Sequence, residues 1–148
     1  MTDLTGKCPV VIRQDLIWND MDAFQHINNT RYFRFFEDAR IAYFEKIAIL
    51  EYMQAHNIGP ILASTRCDFR APLQYPGKIQ IAAWVDKIEQ KRFTMKYRVY
   101  SEELDKVAAE GDAVIVAYDY SKGKSCEIPE QLVSNIQSLE ACTTIADS

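Results

Sequence analysis

The segment Asp20–Asn29, DMDAFQHINN, gathers two carboxylates, one of the chain's two histidines and two asparagines just ahead of a helix-like stretch. A helix start presents unpaired N–H groups and the positive end of the helix dipole. A carbonyl oxygen that gains negative charge is stabilised there, in the manner of an oxyanion hole. A neighbouring carboxylate can attack the carbonyl carbon or take a proton from water. These residue types in this order suit acyl transfer. Each also has a plain structural use. Acidic and amide side chains ahead of helices commonly act as caps, and His26 can order a loop through a hydrogen bond.

Other chemistries fit the same residues less well. Asp20 and Asp22 match the first and third positions of a calcium loop, but Gln25 stands where that loop needs Gly and Arg31 where it needs Glu. His26 has no second histidine close in sequence to complete a transition-metal site. The chain has no Gly-rich phosphate loop and no G-x-S-x-G elbow, and Ser64 carries no nucleophile signature. Cys8, Cys67, Cys126 and Cys142 lie far apart without metal-ligand spacing, and read as reduced, packed thiols of a cytoplasmic protein. The expectation is an enzyme with neither metal nor cofactor.

Periodicity supplies the elements that must hold this segment. From Asn29 to about Met53 there is no Gly or Pro, and Tyr32, Phe36, Ala39, Tyr43, Ile47 and Leu50 recur at spacings of three and four. That pattern predicts one long aromatic helix, widened by Phe33, Phe35 and Phe44, with Asn28 or Asn29 capping its first turn. Val10–Trp18 reads as a strand, and Gly59-Pro60 ends the helical region. The period then changes to two. Strands are expected at Ile61–Arg70, Lys78–Glu89, Arg92–Tyr100 and Lys106–Tyr120, as a four-strand antiparallel meander, before a short helix at Pro129–Leu139. The class is α+β, one helix on one face of a sheet of about five strands, with open edges that favour pairing of subunits.

Size and charge bound the rest. The 148 residues fit a single domain, 1–148, large enough to fold without staples. The balance of 17 basic against 21 acidic residues, net −4, argues against a nucleic-acid binder. Residues 1–20 hold no signal-peptide core, and the longest apolar run, Ala113–Tyr118, is far too short to span a membrane. The charge is unevenly spread. Lys78–Arg98 holds six basic residues against two acidic ones, a local +4, whereas Ser101–Tyr120 holds six acids and one base.

The stretch Trp18–Arg40, WNDMDAFQHINNTRYFRFFEDAR, resembles the signature of the hot-dog-fold acyl-CoA thioesterases of the 4-hydroxybenzoyl-CoA thioesterase-like family. The matching residues are Trp18, Asp20, Asp22, His26, Asn28, Asn29, Tyr32, Phe36, Glu37, Ala39 and Arg40. CDFRAPLQYPG (Cys67–Gly77) and EIPE (Glu127–Glu130) resemble later pieces of the family pattern. The resemblance implies a hot-dog fold, a long central helix wrapped by a curved antiparallel sheet. It implies that Asp22 is the catalytic carboxylate, as nucleophile or general base, and that the helix-start amide near Asn29 polarises the thioester carbonyl. His26 matches a position occupied in some members. The acyl group would lie near Tyr32 and near Ser64 and Thr65 of a partner subunit, in a homodimer or homotetramer. Glu37 is expected to pair with Arg34 or Arg40 at helical spacing. Lys91 and Arg92, at a hairpin tip, suit the phosphates of coenzyme A. Two other readings stay open: an acyl-carrier-protein thioesterase, and a non-catalytic acyl-CoA-binding hot-dog protein.

Overall fold

A computed structural model describes Leu4 and residues 7–142; the outermost residues of the 1–148 range lie outside it. The order is β1 (Val10–Asp15), a 3-10 turn (Trp18–Asp20), α1 (Thr30–Lys46), α2 (Ile49–His56), β2 (Ile58–Phe69), β3 (Lys78–Ile88), β4 (Arg92–Ser101), β5 (Lys106–Asp119), β6 (Lys124–Ser125) and α3 (Glu130–Glu140). The main sheet runs β1-β3-β4-β5-β2, all antiparallel, with the two-residue β6 on β5. The sheet curls around α1 in the hot-dog arrangement expected from the sequence.

Four expectations change in detail. The single helix to Met53 is two helices, because Ala48 takes a left-handed conformation (φ 57°) between them. Periodicity cannot register a one-residue break at an alanine, which costs about 1–2 kcal/mol locally and needs tertiary support. Gly59-Pro60 lies inside β2 rather than ending a helix. Pro60 is tolerated because, among the described residues, β2 pairs with β5 alone, leaving one edge where a missing N–H breaks no ladder bond. The four strands are not a simple meander: β3, β4 and β5 follow one another, but β2 sits beyond β5. β1 ends at Asp15, short of Trp18.

The core lies between α1 and the concave sheet face. Ile79, Ile81, Ala83 and Val85 of β3, and Met95, Tyr97 and Val99 of β4, turn inward as their alternation predicts. Phe36 and Ala39 are fully buried against them, and Phe36 stacks on Tyr97 with ring centroids 4.7 Å apart. Gly111 permits that approach: a Cβ there would sit 2.4 Å from the Phe36 ring and 2.3 Å from the Arg66 carbonyl oxygen. Phe33 and Leu50, placed on the helical face by spacing, are substantially exposed. Over β3 the outer face is also covered, by a second cluster of Leu4, Cys8, Ala82, Trp84 and Tyr100. Cys142 is exposed, so it is not packed as expected.

Candidate active site at the start of the central helix

Local hydrogen bonds shape the Asp22 loop. The Gln25 N–H donates to the Asp22 carbonyl (3.0 Å), and the Asp22 N–H donates to the His26 carbonyl (2.9 Å). Gln25 adopts φ 65° to close this turn, and Met21 and Ile27 form a bridge beyond it. The loop is then tied to its surroundings. The Asn28 N–H donates to the Asp20 carbonyl (2.9 Å), and the Ile27 N–H donates to the Leu73 carbonyl (2.8 Å). The turn after β2, which contains Leu73, therefore buttresses the loop.

Asn28 is the residue whose side chain caps the helix. Its Oδ1 accepts from the Thr30 N–H (2.9 Å) and from Thr30 Oγ1 (2.7 Å). Its Nδ2 donates toward Asp22 Oδ2 (3.4 Å). Asn29 takes the helix-boundary position without a side-chain cap bond. Among the described residues, its backbone N–H meets no acceptor. An unpaired N–H at the positive end of a 17-residue helix is the donor that a developing oxyanion requires.

Asp22 is half-buried. One oxygen accepts from the Phe24 N–H (2.9 Å), the other faces Asn28 Nδ2, and no cation neutralises it among the described residues. Asp20 takes the pairing role instead, with Arg31 Nε at 3.2 Å. Asp22, His26, Asn29 and Tyr32 border one open cleft of about 450 Å³. Phe69, Arg70, Ala71 and Pro72 close its other wall. Those four were not assigned to the site from sequence. Their signal was the CDFRAP segment, whose placement beside the Asp22 loop depends on the Ile27–Leu73 bond between distant parts of the chain.

Tyr32 sits one turn into α1 and is only 3 % exposed. Its ring makes edge contacts with Phe35 (5.6 Å) and Phe69 (5.0 Å). Burial pushes its phenol up to about 12, with a smaller contribution from Cys67, so it remains protonated at neutral pH. Cys67 itself is pushed up to about 11, mainly by burial.

The other expected contacts lie apart from this cleft. Ser64 and Thr65 are on the exposed middle of β2, with Thr65 Oγ1 donating to the Asp112 carbonyl (3.1 Å). Lys91 and Arg92 border a separate cleft of about 380 Å³ with Gln90, Val116 and Ser125. Arg92 is drawn to Glu89 at 3.4 Å, and Arg98 to Glu110 at 3.0 Å. Glu110 of β5 thus offsets part of the local +4, whereas Glu89 is already counted within it. Glu37 pairs with Arg34 (3.7 Å) and not with Arg40. Arg40 is turned into the core and donates to the Tyr97 hydroxyl (3.1 Å).

The sequence model of the thioesterase-like superfamily matches residues 16–136. The chain belongs to that superfamily. It is similar to the long-chain acyl-CoA thioesterase FadM of Escherichia coli, 24% identical over 119 residues, covering 80% of this chain and 90% of FadM. In structure it is similar to a Thermus thermophilus thioesterase solved with coenzyme A and zinc, with a TM-score of 0.80 and 25% identity, covering 93% of this chain and 97% of that one. It also matches a Synechocystis 1,4-dihydroxy-2-naphthoyl-CoA thioesterase, with a TM-score of 0.77 and 14% identity over 88% of this chain and 96% of that one. That last likeness concerns the fold. Superfamily membership makes this chain a thioester hydrolase, on the hot-dog fold described above.

Proposed function

We propose that this protein hydrolyses acyl-CoA thioesters to a free acid and coenzyme A, with Asp22 and the Asn29 amide as its central groups. The observation that carries this reading is the meeting of a cation-free carboxylate and an unpaired helix-start N–H in one cleft. The Asn29 N–H holds the thioester oxygen as it becomes an oxyanion. Asp22 takes a proton from water, whose oxygen bonds to the carbonyl carbon; the C–S bond then breaks and the thiolate recovers the proton. In the nucleophilic variant, Asp22 itself bonds to that carbon, and water later cleaves the resulting anhydride. His26, bordering the same cleft, contacts the substrate. The relatives that act on acyl-CoA, and the FadM match in particular, support coenzyme A as the thiol carrier.

The rest of the unit follows from the same reading. The chain acts as one catalytic domain, in a setting where its four free thiols stay reduced, the cytoplasm. Among the described residues no helix is long and apolar enough to cross a membrane. Among the described residues no strand pairs with the outer edge of β2, and a second copy pairing there would bring its Ser64 and Thr65 toward the acyl group. Lys91, at the β3–β4 turn, meets the coenzyme A phosphates with Arg92 beside it.

Asp22→Asn should lower kcat by at least about 100-fold, the usual scale for a lost general base, with an unchanged melting temperature. Thiol release from a panel of acyl-CoA lengths, read with a chromogenic thiol reagent, gives the rates. Near-wild-type turnover in Asp22→Asn would sink the mechanism. Faster turnover of a matched acyl-carrier-protein substrate would replace coenzyme A as the carrier.

A further inference from the structure

Asn28 touches both halves of the proposed machinery. Its carbonyl accepts from the Arg31 N–H (2.9 Å) in the first turn of α1. The N–H of a planar trans peptide points opposite to its C=O. The Asn29 N–H belongs to that same peptide, so it is turned back out of the helix end, and among the described residues it meets no acceptor. The Asn28 side chain reaches the other half, with Nδ2 3.4 Å from Asp22 Oδ2. One residue therefore carries both the peptide of the oxyanion donor and a contact to the carboxylate.

The direction of the Asn28 amide is fixed by its far end. Oδ1 accepts from the Thr30 N–H (2.9 Å) and from Thr30 Oγ1 (2.7 Å). A backbone N–H can only donate, so the oxygen must face Thr30 and the NH2 group must face Asp22. The Asn28 N–H is itself spent on the Asp20 carbonyl (2.9 Å). Capping uses only the side-chain oxygen: an aspartate closes the same turn and ranks with asparagine as a cap. The nitrogen is the part that capping leaves unexplained. We propose that Asn28 is a positioning residue, whose Nδ2 holds Asp22 at a set separation from the Asn29 amide so that both groups address one carbonyl. At 3.4 Å the bond is long, as catalytic hydrogen bonds often are before substrate tightens a site. The inference rests on the reading of Asp22 and the Asn29 amide above. Around Asp22, the Phe24 N–H holds the other carboxylate oxygen (2.9 Å), and His26, Tyr32 and Arg70 border the same cleft. Asp20 is engaged by Arg31 (3.2 Å).

The test separates capping from positioning. Asn28→Asp and Asn28→Ser both keep a capping oxygen and both lose the donor to Asp22. On the best acyl-CoA each should lower kcat at least about tenfold, a modest share of what misplacing a catalytic group costs. KM and the melting temperature should change little. Asn28→Asp alone should also move the acid limb of the kcat/KM profile to higher pH, because a second carboxylate disfavours the charged form of the first. Asn28→Ala loses cap and donor together; it should melt lower than Asn28→Ser yet lose no more rate. In an Asp22→Asn background Asn28→Ser should cost nothing further, since a residue that acts through another shows no separate effect once that other is gone. Wild-type kcat in both capped variants, a rate loss that tracks melting temperature across the three, or an additive loss in the Asp22→Asn background overturns the positioning role. Wild-type kcat in the capped variants beside a disabled Asp22→Asn enzyme overturns this inference alone. Full turnover in Asp22→Asn overturns it together with the reading on which it rests.

Discussion

At the residue scale, two side chains of the same helix do opposite things with burial. Tyr32, 3% exposed, is buried near the cleft with its donor unspent, whereas Arg40, 9% exposed, spends one donor on the Tyr97 hydroxyl. A guanidinium taken out of water is expensive, and one phenol oxygen offsets little of that cost. Its value is positional: it joins the middle of α1 to β4 beside the Phe36–Tyr97 stack. Arg40→Ala should destabilise the fold by about 3 kcal/mol, because it opens a cavity and leaves the Tyr97 oxygen without its donor. Denaturant unfolding measures this; a change under about 0.5 kcal/mol, the ordinary surface value, would show that the bond holds nothing. Sequence spacing offered Arg40 as a surface partner for Glu37. The helical wheel places charges but cannot show that the 97–111 region of the sheet closes over one of them.

At the element scale, the break between α1 and α2 depends on α3. Asn135 Nδ2 donates to the Ile47 carbonyl (2.9 Å), and so satisfies an acceptor freed at the end of α1. One turn further on, Glu140 accepts from the Tyr43 hydroxyl (2.6 Å) and from the Val85 N–H (2.9 Å). The register shift between Val85 and Lys87 lies at this N–H in the β3–β4 ladder. Burial raises the Glu140 carboxyl, while its two donors oppose that shift. Burial and this bond likewise push the Tyr43 phenol up. A carboxyl raised on folding binds its proton more tightly in the folded state. Its contribution to stability is therefore full below the unfolded value and fades as pH rises through the folded one. Glu140→Gln should remove that pH dependence, since an amide does not titrate, while its oxygen can still accept both bonds now made to Oε2. Glu140→Leu should cost about 2–4 kcal/mol, because two donors lose their acceptor. Thermal melts of both variants between pH 4 and pH 8 check the order; a Glu140→Leu protein as stable as wild type would show that α3 is held by its apolar face alone. α3 itself was legible as an amphipathic stretch after Pro129. Its role as a clamp was not, because its partners are far away in sequence.

At the scale of the whole molecule, the open edge of β2 is the feature that asks for a second chain. Leu62–Arg66 is exposed, and long unpaired edges otherwise invite aggregation. Light scattering should give a mass of at least twice 17.0 kDa. A charge placed on this edge, Leu62→Glu, should shift the mass toward 17.0 kDa and lower kcat/KM at least about tenfold, because misplacing distant substrate contacts commonly costs that much or more. A fully active monomer would refute the shared site. The sequence by itself determined the α+β class, the long aromatic stretch and the loop bearing Asp22, since all of these rest on neighbouring residues and short periods. Only the tertiary structure decided that Asn28 caps while the Asn29 amide stays unpaired, that Phe69–Pro72 close the cleft, and that Ala48 divides the helix. Those outcomes depend on bonds such as Ile27 to Leu73 and Asn135 to Ile47. Such bonds join residues dozens of positions apart, and local pattern carries no information about which distant acceptor a donor will meet.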